Sequence, residues 1–357
     1  MSGSISNQQT VFVLAMLAYT ACEFNGDGES IARQTQPELL RRLKQYTPQL
    51  GAWDVIWGPA VYVPTGGSKT VNAMFVARQD DLLIVSIAGT NPFSIYNWLV
   101  EDFLVVGLVP WGPTAPAAQI ARGTHYGLSV LETLTQPSGL PGAGVAVVDF
   151  LKSCADVSKI TVTGHSLGGA LAPVLALRLA EIIAEPNWIG KNKPVIHCQP
   201  HAGPTPGDAE FAAYYDRVLG PRTDRLVNAC DVVPQAWDQA HLTRIPELYA
   251  PRIPACLEVQ GLVFTASELT KHDHYTPVCA GAPVLPGQVE PSRISADRGA
   301  LLNFFNQIPY QHVNAYFELL GVPDMMNPFR VLEAQALGHL REHFPGIAEK
   351  IAKQIRF

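Results

Sequence analysis

Gly164-His165-Ser166-Leu167-Gly168 constrains this chain more than any other stretch, because it sets a serine on a sharp turn between a strand and a helix. The residues before it, Lys159 to Thr163, are apolar and β-branched, as a buried strand requires. Gly169 to Leu179 follow with strong helix formers, and Pro173 stands early in that run. A G-x-S-x-G match in this context is a nucleophile elbow. Its glycines flank the serine because a side chain there would collide with the neighbouring strand or helix. The strained turn lifts the hydroxyl above the sheet, and the helix N-terminus behind it favours developing negative charge.

The surrounding pattern alternates strand and helix. Helices are expected at 5–22 and 31–46, and strands at about 59–64, 71–78 and 82–88. A helix starts near His125, is broken by 136–142 and resumes to about Ser153. Strands at 194–199 and 225–230 flank a helix near 207–217, and final helices cover about 299–320 and 327–355. Residues 233–298 are Pro-rich with little periodicity, and read as a long surface excursion. The fold class is therefore α/β: a central, mostly parallel sheet flanked by helices, with extra helices at both termini. One domain over 1–357 is the simplest account.

A serine hydroxyl is a weak nucleophile that needs a base, usually histidine, held by a carboxylate. In such sheets the partners follow on loops after later strands, in the order Ser, Asp, His. Asp231 ends the strand Arg225–Cys230 and is the candidate acid, with Asp208 and Asp224 as competitors in more polar surroundings. His312 opens a late helix and is the candidate base; His274, beside His272 and Asp273, is the alternative. The oxyanion donors are the Leu167 backbone N–H and Thr90, which follows the strand Leu82–Ala88 and Gly89. The aromatic-rich segment 91–103 next to Thr90 is suited to cover the serine as a lid, and equally to be a buried core helix.

The formal charge of −6 and the lack of any basic block exclude a nucleic-acid partner. Charged residues are 16% of the chain, below the usual quarter, which fits contact with lipid. The first Lys or Arg is Arg33, so no basic region precedes the short apolar run Val11–Ala21, and no stretch reaches the length of a membrane span. Cytoplasmic residence is favoured, with secretion by another route open. The six dispersed cysteines, lacking any C-x-x-C pair, read as reduced core thiols, although an even count also permits pairing.

With these residues in order, the chain resembles the class 3 lipases over about residues 60–320. Gly164 to Gly169 match the family's G-H-S-L-G-G motif, and Gly89-Thr90 its oxyanion strand end. Asn97-Trp98 with Glu101 matches the segment after its lid, and His125 to Leu128 resembles an element whose histidine is structural. Ala202 to Thr205 resembles its A-G-x-P turn. Val227 to Pro234 resembles V-N-x-x-D-x-V-P, in which Asp is the triad acid, and His312 to Tyr316 the closing H-x-x-x-Y element. The resemblance implies an α/β-hydrolase fold and carboxylic ester hydrolysis with no metal or organic cofactor. It implies Ser166, Asp231 and His312 as triad, Thr90 and Leu167 as oxyanion hole, and a lipid or other ester as substrate. Phospholipase A1, a short-chain or feruloyl esterase and a polyester hydrolase share that machinery, and an inactive lipid-binding protein is the non-enzyme alternative. Four features depart from the family: Ala88 where Arg is usual, the 136–142 break, the long Asp231-to-His312 gap and the tail after 321.

Overall fold

The computed structural model describes residues 5–89, 107–185, 188 and 193–325. The lid segment 91–103, Thr90 and the helix expected at 327–355 lie outside the described residues. The chain divides into two compact units: Met1–Asn91, Gly123–Gly203 and Ala213–Arg225 form one, and Pro92–Arg122, Pro204–Ala212 and Leu226–Phe357 the other.

The first unit is built on a five-stranded sheet in the order β1-β2-β3-β6-β7. Strands β1 (Asp54–Tyr62), β2 (Asn72–Gln79) and β3 (Leu82–Ala88) run antiparallel, whereas β6 (Lys159–His165) and β7 (Val195–His201) extend the sheet parallel to β3. The sheet is thus mixed, and connection length is the reason. A two-residue turn joins β2 to β3 and nine residues join β1 to β2, both shorter than a crossover needs, so these strands pair antiparallel, while helical crossovers lead to β6 and β7. Strands β3 and β6 are buried at all but their first residue, as parallel strands covered on both faces should be.

Helix α1 (Asn7–Leu17) is started by a reciprocal Ser6–Gln9 capping box and continues into a 3₁₀ turn, Ala18–Glu23. It is buried from Thr10 onward and packs on β3, β6 and β7. Helix α2 (Gly28–Leu50) buries the stripe Ile31, Thr35, Leu39, Leu43, Tyr46 and Leu50 against β1. Its one buried cation, Arg42, is held by Glu23 at 2.7 Å and Glu38 at 2.7 Å. Helices α3 (Arg122–Thr133) and α4 (Val147–Ser153) bracket the expected 136–142 break. Helix α5 (Leu167–Ala184) follows the elbow and packs on β6 and β7. With 18 residues at mean hydropathy 1.7 it does reach the length of a membrane span, contrary to the sequence expectation, but 67% of it is buried inside the protein. Helix α6 (Ala209–Leu219) completes the alternation.

The second unit contains the hairpin β4 (Leu108–Gly112)–β5 (Ala115–Ala121) and a two-residue parallel pair, β8 (Val227–Asn228) with β9 (Val284–Leu285). The strand expected over 225–230 shrinks to β8 because the Asn228 N–H is taken by the Tyr316 hydroxyl at 2.9 Å. The stretch 233–298 is more ordered than its prolines suggest. It holds α7 (Leu257–Thr270) and several single helical turns. Helix α7 is apolar on both faces: Val259, Val263 and Ala266 are buried, while Leu257 and Phe264 are exposed. No one-sided stripe marks it in the sequence. Helices α8 (Ala300–Pro309) and α9 (Ala315–Leu319) are joined by a π turn, Tyr310–Asn314, so His312 lies mid-helix rather than at a helix start. Pro309, which lacks an N–H and crowds the preceding turn, gives the local reason for the widening.

Candidate active site

In the first unit, β6 delivers Ser166 to the mouth of α5 with φ 58° and ψ −127°, a left-handed conformation that costs a non-glycine residue free energy. Close packing holds it there. A side chain on Gly164 would collide with the Gly168 carbonyl, and one on Gly168 with the Ile87 carbonyl of β3. The β3 end is equally tight, since any side chain on Gly89 would strike Leu167 and Gly168. The turn is also tied by hydrogen bonds: Ser166 N–H donates to the His201 carbonyl at 3.0 Å, and Gly169 N–H to the Ser166 carbonyl at 2.8 Å. Leu167 is the first residue of α5, where helix N–H groups have no partner within the helix.

Tyr19, from the 3₁₀ turn after α1, is a residue that sequence reasoning missed. Its hydroxyl donates to the His165 carbonyl at 2.7 Å, and the Ser166 hydroxyl and Gly89 backbone lie within hydrogen-bonding reach of the same oxygen. Burial pushes this phenol up, so it stays protonated. Nothing local in the sequence marks Tyr19, which meets His165 across 146 residues. Beneath the elbow His201 is fully buried, and burial pulls its imidazole down to about 3. It is a neutral packing residue, bonded to Gln199 at 2.9 Å and edge-on to Phe12.

In the second unit, Asp231 and His312 come together. The His312 Nδ1 lies 2.8 Å from Asp231 Oδ2 and 3.1 Å from Oδ1, and the two residues are 1% and 0% exposed. A carboxylate only accepts, so Nδ1 carries the proton and Nε2 presents a lone pair. Asp231 is further satisfied by the Val233 N–H at 3.0 Å and the Tyr316 hydroxyl at 3.0 Å. Asn228 locks the frame: its Nδ2 donates to the Gln311 carbonyl at 2.8 Å and its Oδ1 accepts from Cys230 N–H at 3.0 Å. A carboxylate on Nδ1 and a lone pair on Nε2 are the arrangement that the acid–base half of a nucleophilic triad requires.

The competing residues are placed elsewhere. Asp208 caps α6 through Phe211 N–H at 2.8 Å and holds Gln119 N–H at 3.1 Å. Asp224, His272 and His274 are exposed, and His125 is an exposed residue of α3. Among the described residues no three His, Cys, Asp or Glu side chains converge to hold a metal, and no disulfide joins the six cysteines.

A class 3 lipase family model, "Lipase (class 3)", matches residues 84–240. The crystal structure of M37 lipase superposes with a TM-score of 0.82 at 30% identity, covering 95% of this chain and 99% of that one. The chain belongs to the class 3 lipase family. Its matched region contains Ser166, Leu167 and Asp231, whereas α7, α8 and His312 lie beyond it. This class 3 lipase is also 26% identical over 234 residues to phospholipase A1-II 4 of Oryza sativa subsp. japonica, which is 57% of this chain and 56% of that protein. It is 43% identical over 78 residues to the chloroplastic phospholipase A1-Igamma2 of Arabidopsis thaliana, 22% of this chain and 14% of that protein. The chain thus spans between 14% and 56% of the length of these two plant relatives.

Proposed function

We propose that this chain is a serine carboxylester hydrolase of lipase type, acting on acylglycerols or related long-chain esters. Ser166 attacks the ester carbonyl while His312 Nε2 takes its proton and returns it to the leaving alcohol. Asp231 fixes the imidazole tautomer and supports the imidazolium. The backbone N–H of Leu167 and Thr90 stabilise the oxyanion, an effect of about 3–4 kcal/mol per donor. Water activated by His312 then releases the acid from the acyl-enzyme. The observation that carries this reading is the buried His312–Asp231 pair at 2.8 Å, in a chain that also holds a serine at a strained elbow.

The test is hydrolysis of p-nitrophenyl esters from acetate to palmitate by the wild-type protein and Ser166→Ala, with an organophosphonate probe. Wild-type turnover, labelling at Ser166 and a fall of at least about 1,000-fold in Ser166→Ala are expected. Turnover that survives Ser166→Ala overturns the mechanism. No turnover and no labelling would make the chain an inactive lipid-binding relative.

The names of the two plant relatives favour a second reading, phospholipase A1. Comparing fatty-acid release from triacylglycerol emulsions and from phospholipid vesicles separates the two.

A further inference from the structure

Helix α8 and the π turn bury three amide side chains spaced four residues apart, Asn303, Gln307 and Gln311, at 7%, 0% and 0% exposure. Buried amides need hydrogen-bond partners, which aliphatic side chains at the same positions would not. Each of the three finds its partner in the backbone of the segment that precedes α8. Asn303 exchanges two bonds with Ser295: its Oδ1 accepts the Ser295 N–H at 3.0 Å, and its Nδ2 donates to the Ser295 carbonyl at 3.0 Å. Gln307 does the same with Glu290, at 3.0 Å and 2.8 Å. Gln311 Nε2 donates to the Gln288 carbonyl at 2.7 Å. The backbone from 288 to 295 is thus strapped along the helix that carries His312.

The strap reaches the acid side as well. Just before it, β9 pairs with β8, and the Ala229 N–H donates to the Leu285 carbonyl at 3.0 Å. Gly287 lies so close to Asn228 that a Cβ there would overlap the Asn228 Oδ1. Asn228 Nδ2 in turn donates to both the carbonyl and the Oε1 of Gln311, at 2.8 Å and 2.9 Å. Asn228 stands three residues before Asp231, whose N–H donates to the Asn228 carbonyl at 3.0 Å, and Gln311 directly precedes His312. One side chain, Gln311, therefore holds the strap by its nitrogen and the acid loop by its oxygen. A buried polar network whose members are satisfied fixes one arrangement, where an apolar contact would permit several. The π turn that carries His312 is a rare widening of a helix, and these bonds hold it from outside.

We propose that residues 284–290 brace the His312–Asp231 contact and that Gln311 is the positioning residue through which they act. The proposal rests on the ester-hydrolase reading above for the reaction that the contact serves, but not for the brace itself. The brace lies beyond the matched residues 84–240, inside the long gap between Asp231 and His312. Gln311→Met keeps the length of the side chain and removes its bonds to the strap and to Asn228. Asn303→Ala cuts the far end of the strap and touches neither Asn228 nor His312. Both should lower Tm, but only Gln311→Met should lower kcat on p-nitrophenyl butyrate. The expected fall is roughly 10- to 100-fold, as for a misplacement of about 1 Å, with KM within about twofold of wild type. Gly287→Ala, which displaces Asn228 from the strap side, should lower kcat in the same way, and it decides the matter if Gln311→Met does not fold. A wild-type kcat in either folded variant, or an equal fall in Asn303→Ala, overturns the proposal.

A second arm needs no turnover. The far-downfield proton resonance of His312 Nδ1–H, assigned by its loss in His312→Ala, reads the contact without substrate. It should persist in Asn303→Ala and be weakened by exchange with water in Gln311→Met. If no ester is cleaved but the resonance follows this pattern, the hydrolase reading fails and the brace stands. Ester cleavage with a resonance and a kcat that Gln311→Met leaves intact sinks the brace alone.

Discussion

Asp231→Asn is the sharpest probe of the acid–base half, because it keeps the size of the side chain and changes only which atoms donate. The carboxylate receives the His312 Nδ1–H at 2.8 Å, the Tyr316 hydroxyl at 3.0 Å and the Val233 N–H at 3.0 Å, with no solvent to compensate. An amide has one oxygen, and Val233 N–H, on rigid backbone, claims it. The amide NH2 then faces His312, whose Nδ1 must accept rather than donate. The imidazole proton is driven to Nε2, and that nitrogen can no longer take a proton from serine. Loss of the correct tautomer in a Ser-His-Asp triad costs about 10,000-fold in kcat, equivalent to ~5.4 kcal/mol of barrier. Stability should change far less, by about 2 kcal/mol or under, since a buried charge leaves along with its hydrogen bonds. The assay is kcat on p-nitrophenyl butyrate, paired with a urea melt to show that the variant is folded. A folded Asp231→Asn protein within tenfold of wild type would refute the tautomer argument.

Tyr316→Phe removes the hydroxyl that donates to Asp231 and accepts from Asn228 N–H, leaving a buried amide without its partner. A loss of about 2–4 kcal/mol in urea unfolding is expected, with a fall of roughly tenfold in kcat. Full stability in this variant would show that the network carries little. Asp208→Ala should lose about 1–2 kcal/mol through the α6 cap while ester turnover stays at the wild-type level; collapse of turnover would reinstate Asp208 as the acid. His201 is held neutral by burial, so the unfolded chain binds a proton there below about pH 6.5 while the folded chain resists until about pH 3. Stability should therefore fall as the pH drops through that window, by up to ~1.4 kcal/mol per pH unit, and His201→Gln should remove this part of the slope in a Tm-versus-pH series. An unaltered slope would count against it.

The elbow was legible because everything it needs is local: a β-branched strand, a glycine-flanked serine and a helix former run within about twenty residues. Asp231 was legible for the same reason, although the strand before it is shorter than its composition suggests. His312 was read from its place in a late helix as well as from the resemblance of the closing element, and the π turn that holds it leaves no mark in the sequence other than Pro309. Three features were not legible. Sheet direction depends on which strands share a short turn. Helix α7 hides its period because the outer face is as apolar as the inner one. Tyr19 reaches the serine through a contact between residues far apart in sequence, which no local pattern records.

The burial of α1 has a consequence for how the protein is made. Residues 7–17 are synthesised before every strand they pack against, and the last of these, β7, begins about 180 residues later. At roughly 5–20 residues per second that is a wait of about ten to forty seconds on the ribosome. Through that interval a helix with apolar residues on every side has only part of its native surface, β3 and then β6, to cover it. The sheet of the first unit thus cannot be completed around α1 until β7 has been made, and the Tyr19 contact to His165 waits for β6, 146 residues downstream.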